Sequence, residues 1–178
     1  MGQYYHPAFL ARNKKTVLAW FYSHDYRNGL KLMEHSYMGN NFVAMVEAHL
    51  KQAPQRLVWA GDYAEKCKGR KSNVYDRCND KNKGGHENPY TLAETRYIIN
   101  HTKKQFVDKL ICPFGKGEWS DYQVHPLPLL TCEGNGQGGG DYRREENPHI
   151  GIWARDLISV DKKIPDGYTE LVPSFEMD

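Results

Sequence analysis

An α+β fold, with a mostly antiparallel sheet, one or two helices and long polar loops, is what this sequence predicts, and three observations lead there. Short segments rich in aromatic and β-branched residues recur along the chain with turn residues between them. Only the stretch after Asn40 repeats apolar residues convincingly at helical spacing. Segments of this kind in a ratio of about six to eight strands to one or two helices make the α+β pattern. The 178 residues fit one domain, 1–178, large enough to bury a core without metals or crosslinks.

The elements follow in chain order. Residues 3–11 and 16–23 read as two strands joined by the turn Arg12-Asn13-Lys14-Lys15, and Pro7 assigns the first of them to a sheet edge. Asn28-Gly29 is a turn signal, because both residues tolerate positive φ, and Leu30 to His35 alternates like a third strand. Asn40 or Asn41 caps a helix in which Phe42, Val46 and Leu50 share a face, and Pro54 stops it. Gln55 to Ala60 is a strand that ends at Gly61-Asp62-Tyr63.

From Ala64 to Asn88 the apolar signal almost disappears, which predicts a long, mobile, basic surface loop. Pro89 to Glu94 makes a helical turn, and Arg96–His101 with Gln105–Leu110 forms a hairpin around Thr102-Lys103-Lys104. Pro126 to Cys132 reads as a strand, residues 133–148 as a glycine-rich loop, Ile150 to Val160 as a last strand, and the tail folds back or ends irregularly.

Composition narrows the function classes. The chain is 39% hydrophobic and 12% aromatic, too apolar for disorder, and its formal charge of +2 gives no whole-protein field that would demand a polyanion. Any case for nucleic acid must therefore be local. The N-terminal residues lack a basic stretch followed by an apolar run, and no segment approaches membrane-spanning length, so a cytoplasmic location without a membrane partner is expected. The pattern for myristoylation at Gly2 fails at His6. Cys67, Cys78, Cys112 and Cys132 then read as reduced thiols.

Five constellations stand out. Gly134-Asn135-Gly136-Gln137-Gly138-Gly139 matches a dinucleotide fingerprint, but the polar segment after it has no apolar helical face to aim N–H groups at a pyrophosphate. Cys67, Cys78 and His86 share a loop, yet no closely spaced cysteine pair exists, so neither a metal nor another cofactor is expected. His24, Asp25, Asp62 and Asp141 would supply general acid–base groups if they met at one end of the sheet, whereas Asp25 and Asp62 serve equally well as turn caps. Trp59 to Asp62 and Trp153 to Asp156 share a Trp-Ala-x-Asp pattern, which fits a buried indole followed by a carboxylate bonded to nearby backbone N–H groups.

The fifth is the basic loop. Lys66, Lys68, Arg70, Lys71, Arg77, Lys81 and Lys83 stand against Asp76 and Asp80, with Lys103 and Lys104 on the hairpin turn, a concentration that suits phosphate backbones with Tyr75 available to stack on a base. A solvated, solubilising loop is the competing explanation.

MGQYY at the start, HDYRNGLKLMEHS at 24–36, WAGDYAE at 59–65, HPLPLLTCEGNGQGGGDY at 125–142 and WARDLISV at 153–160 resemble the shared segments of a family of small proteins of gut bacteria and their phages. The resemblance spans nearly the whole chain and implies a context, not residue roles. By analogy, that context implies action by binding a host protein, nucleoprotein or nucleic acid, including counter-defence inhibition of the anti-CRISPR kind. A binding protein is thus expected first, a small hydrolase or nucleotide-processing enzyme second, and an assembly component third.

Overall fold

The computed structural model describes residues 3–84, 95–115, 120–134, 138–139, 142–143 and 146–175. The chain runs β1 (Tyr5–Leu10), β2 (Val17–Trp20), α1 (Asn41–Gln52), β3 (Gln55–Gly61), β4 (Tyr97–Asn100), β5 (Gln105–Asp108), α2 (Pro126–Thr131), β6 (Cys132–Glu133), β7 (Gly138–Gly139), β8 (Tyr142–Arg143), β9 (Leu157–Asp161) and β10 (Thr169–Glu170). Eight strands form one sheet in the order β10-β5-β4-β9-β3-β1-β2, with β6 also paired to β3, and β7 with β8 forms a small separate ribbon. Two pairings, β10 with β5 and β3 with β6, are parallel and the others antiparallel, which is an α+β fold.

Alternation along the central strands sorts side chains onto two faces. Tyr5, Phe9, Leu57 and Trp59 pack with Phe42, Met45, Val46 and Leu50 of α1 and with α2. Ala8, Leu10, Val58 and Ala60 point the other way, to Val17, Trp20, Cys67 and Val74. Both faces are thus covered, one by helices and the other by residues 64–84.

Asn40 caps α1 as expected, its Oδ1 accepting the N–H groups of Phe42 and Val43 at 2.9 and 3.1 Å. Five expectations need correction. Pro7 lies in an interior strand, because β1 pairs with both β2 and β3. The Pro7 carbonyl accepts the Phe21 N–H just past the end of β2, so the missing proline N–H falls where that ladder stops. Leu30–His35 is not a strand: Leu32–Glu34 makes a 3-10 turn, stabilised by Glu34 Oε2 accepting the Lys31 N–H at 2.8 Å.

Pro126–Cys132 is mostly helix. Both prolines sit in the first turn of α2, where an N–H would lack an intrahelical partner, and His125 Nδ1 accepts the Leu127 N–H as the cap. Only Leu157 onward of the last predicted strand is extended, because Gly151 and Arg155 at φ of 69° and 65° turn the chain before it. The predicted turn at 89–94 lies outside the described residues.

The basic stretch is not a free loop over residues 64–84. Cys67 and Val74 plug the second core, and Asn73 Nδ2 donates to the carbonyls of Asp62 and Ala64 at 3.0 and 3.1 Å. Trp20 Nε1 donates to Asn79 O at 2.8 Å, and the Gly84 N–H closes onto Trp20 O at 2.7 Å. At Gly84 a Cβ would stand 2.2 Å from the ring of buried Phe21. Gly84→Ala should therefore destabilise the fold by about 1–3 kcal/mol in denaturant melts and raise protease sensitivity between 64 and 84 first.

Candidate nucleic-acid interface

The turn between β1 and β2 is built by Asn13, whose Oδ1 accepts the N–H groups of Lys15 and Thr16 while Lys14 takes φ 58°. That geometry lifts Arg12 and Lys14 into solvent. A second tight turn at 67–72, closed by Arg70 N–H on Cys67 O and by Cys67 N–H on Ser72 O, exposes Lys66, Lys68, Arg70 and Lys71 around the buried Cys67.

Side chains lock these two turns together. Lys15 Nζ donates to Lys68 O at 2.7 Å, and Arg77 donates to Lys15 O. Arg155 reaches Lys14 O at 3.0 Å and Cys67 Sγ at 3.5 Å, while its other N–H groups fork onto the Glu133 carboxylate. The cations Lys15, Arg77 and Arg155 are thereby used as internal bolts. Arg12, Lys14, Lys66, Lys68, Arg70 and Lys71 stay exposed, with no ion pair among the described residues.

The stripe continues across the end of the sheet. Register places Leu10 beside Arg56 and Arg56 beside Leu157, and Arg56 donates to Arg155 O at 3.3 Å. Asp156 then holds the β4–β5 turn, accepting from Lys103 Nζ at 2.6 Å and from Asn100 at 2.8 Å, and leaves Lys104 exposed at φ 53°. Sequence inspection passed over Arg12, Lys14, Arg56 and Arg155. The first two were legible as a basic turn between two strands; the others become neighbours only through long-range pairing.

The same face carries rings. Tyr75 lies flat on His6, centroids 4.4 Å apart, and His6 also meets Trp20 and Tyr22 at 4.5 and 5.6 Å. His24 packs on Tyr22 at 4.8 Å, and Lys83 sits over that ring at 5.2 Å while bonding Asp25 at 2.7 Å. Burial holds the His6 imidazole down at about 4, helped by His24 nearby, so it stacks as a neutral ring. Burial, with Asp62 next, pushes the Tyr75 hydroxyl up to about 12. Arg77, two residues on, ties this ring group to the basic turns.

The acid–base candidates are placed less productively. His24 and Asp25 are exposed on a 3-10 turn with Asp25 tied to Lys83, and Asp62 Oδ1 accepts the Tyr4 N–H at 3.1 Å as a cap. Asp141 and His86 lie outside the described residues, and Lys81 is exposed on its own short turn.

Among the described residues no His, Cys, Asp and Glu gather as a metal site, and no helix is long and apolar enough to cross a membrane. Cys78 and Cys112 are pushed up to about 12, chiefly by burial, so neither is a ready thiolate. No protein-family model, no curated protein and no solved structure matches this chain.

Proposed function

We propose that the chain is a binding protein that engages the phosphate backbone of a nucleic acid, free or within a host nucleoprotein, through this end and face of the sheet. The observation that carries the reading is the convergence of three separate basic turns, at 12–15, 66–71 and 103–104, held in place by hydrogen bonds from Lys15, Arg77 and Arg155 and by the Lys103–Asp156 pair. Turns whose backbone is held on an ordered surface lose less entropy on binding than a free loop does. Exposed cations beside Tyr75 and Tyr22 combine an electrostatic track with stacking surfaces, the arrangement that suits single strands. The phage-type resemblance supports the same class of action, the capture of a host factor inside the cell.

Fluorescence anisotropy with single-stranded and duplex oligonucleotides across a salt series tests this. Binding should weaken steeply with salt, and the combined variant Lys66→Glu, Lys68→Glu, Arg70→Glu, Lys71→Glu should lose about a hundredfold in affinity at low salt with an unchanged melt. Absence of binding at low salt, or equal binding by the variant, would remove the proposal.

A further inference from the structure

A second site lies on the opposite face of the sheet, where α1, the end of β5 and residues 123–125 line a half-open cavity of about 430 Å³. Its floor is ionic. Glu47, in the middle of the buried face of α1, accepts from Lys109 Nζ at 2.5 Å, and Lys109 also donates to Thr95 Oγ1 at 3.1 Å. His125 Nε2 lies 3.3 Å from the same Glu47 oxygen without hydrogen-bonding geometry, and its Nδ1 is occupied by the Leu127 N–H. Glu47, Lys109 and His125 are 1%, 9% and 3% exposed.

Such a cluster is a poor device for holding α1 in place. A buried ion pair repays its desolvation only in part, and an apolar pair of similar volume commonly serves stability as well or better. The neighbours on α1, Val43, Ala44 and Val46, show that this helix face accepts apolar residues. Charges retained at the floor of a cavity point to a ligand.

The hydrogen-bonding inventory gives the ligand's chemistry. Lys109 has three N–H donors, two of them engaged by Glu47 and Thr95. Arg96, at the cavity wall, spends Nε and Nη2 on Asp108 and leaves Nη1 over. His125, with Nδ1 as acceptor, carries its neutral-form hydrogen on Nε2. Asn40 spends its Oδ1 on capping α1 and one Nδ2 hydrogen on Asn28. The cavity therefore offers surplus N–H donors from two cations, with His125 Nε2 turned toward Glu47, against apolar walls at Met38, Ala44 and Leu110.

We infer that this cavity binds a small molecule carrying an oxyanion, a carboxylate or a phosphate, with that group held by Lys109 and Arg96 and its apolar part against Met38, Ala44 and Leu110. The site is independent of the basic face. Titration of the ¹⁵N-labelled full chain with acetate and, separately, inorganic phosphate at constant ionic strength, with chloride as the control, tests it. To silence the other face, the four-site Lys66→Glu, Lys68→Glu, Arg70→Glu, Lys71→Glu variant is titrated in parallel.

Saturable shifts of the amides of Gly39, Asn40, Lys109 and Leu110, present in that variant and lost in Lys109→Met, are the expected result. Which of the two probes saturates first identifies the oxyanion. Where Lys109→Met does not fold, Arg96→Gln, at a half-exposed side chain, takes its place and should weaken the titration at least fivefold. Shifts no larger than with chloride for both probes, or shifts equally strong in the folded Lys109 and Arg96 variants, would overturn the site.

Discussion

Lowering the pH from about 6.5 to about 4 should remove about 6 kcal/mol of folding stability through two histidines alone. His6 and His35 are both held down at about 4, mainly by burial. The unfolded chain binds protons at these positions near pH 6.5 while the folded chain does not. Stability is thus complete above that value, falls as the pH drops, and levels only when the folded imidazoles also protonate near 4. Each group contributes about 3 kcal/mol over the window, large beside a typical total of about 5–15 kcal/mol.

The two rings resist protonation for visible reasons. His35 is fully buried, with Nδ1 against Gly29 O at 3.2 Å and Nε2 accepting the Trp59 indole N–H at 2.9 Å. An imidazolium would turn that acceptor into a donor facing another donor. His6 is sandwiched among Trp20, Tyr22 and Tyr75 with Nδ1 unpartnered. His101 and His125 are also held below the ordinary value by burial and add to the same trend. Urea melts at half-unit pH steps would show it; in His6→Phe the slope of stability against pH should fall by about one proton, 1.4 kcal/mol per pH unit. A flat profile between pH 4 and 6.5 would refute the buried-neutral assignment.

Removing one charge of the floor pair should cost nearly as much. Lys109→Met leaves the Glu47 carboxylate buried without its cation, a loss of about 3–5 kcal/mol. Burial raises the Glu47 pKa, but His125 and Lys109 more than offset this, so the group ends below the ordinary value and stays ionised at neutral pH. Glu47→Leu combined with Lys109→Met should recover about half or more of that loss, since two apolar groups replace two desolvated ions. Chemical denaturation of the two single variants and the double variant gives the coupling directly. Additive losses would mean that the pair does not act as a unit.

Much of the fold was legible where one physical signal dominated. The Asn40 cap and the spacing of Phe42, Val46 and Leu50 identified α1, and the turn at Thr102–Lys104 identified the β4–β5 hairpin. The Pro126–Cys132 run misled because an unbroken apolar segment has no periodicity to read, so helix and strand look alike. Residues 64–84 misled for another reason. Their attachment to the sheet rests on two small apolar plugs and on asparagine-to-backbone hydrogen bonds, which leave almost no hydrophobic pattern.

The candidate sites divide in the same way. Lys66, Lys68, Arg70 and Lys71 were visible as a local concentration, and Lys103 and Lys104 as a turn. That these turns meet at one end of the sheet with Arg12, Lys14, Arg56 and Arg155 depends on strand order, which no local pattern encodes. Glu47, Lys109 and His125 are separated by 62 and 16 positions along the chain, and each looks ordinary in its own segment. Glu47 alone carried a hint, as a carboxylate in a helix otherwise buried on nearly every side.

Photo-crosslinking of a bound single-stranded oligonucleotide, with adducts mapped by mass spectrometry, tests the central claim most directly. Adducts should concentrate on Tyr75, Tyr22 and the lysines of the 12–15, 66–71 and 103–104 turns, and should vanish at high salt. Adducts spread over the α1 and α2 face, or a salt-insensitive pattern that ignores those turns, would contradict it.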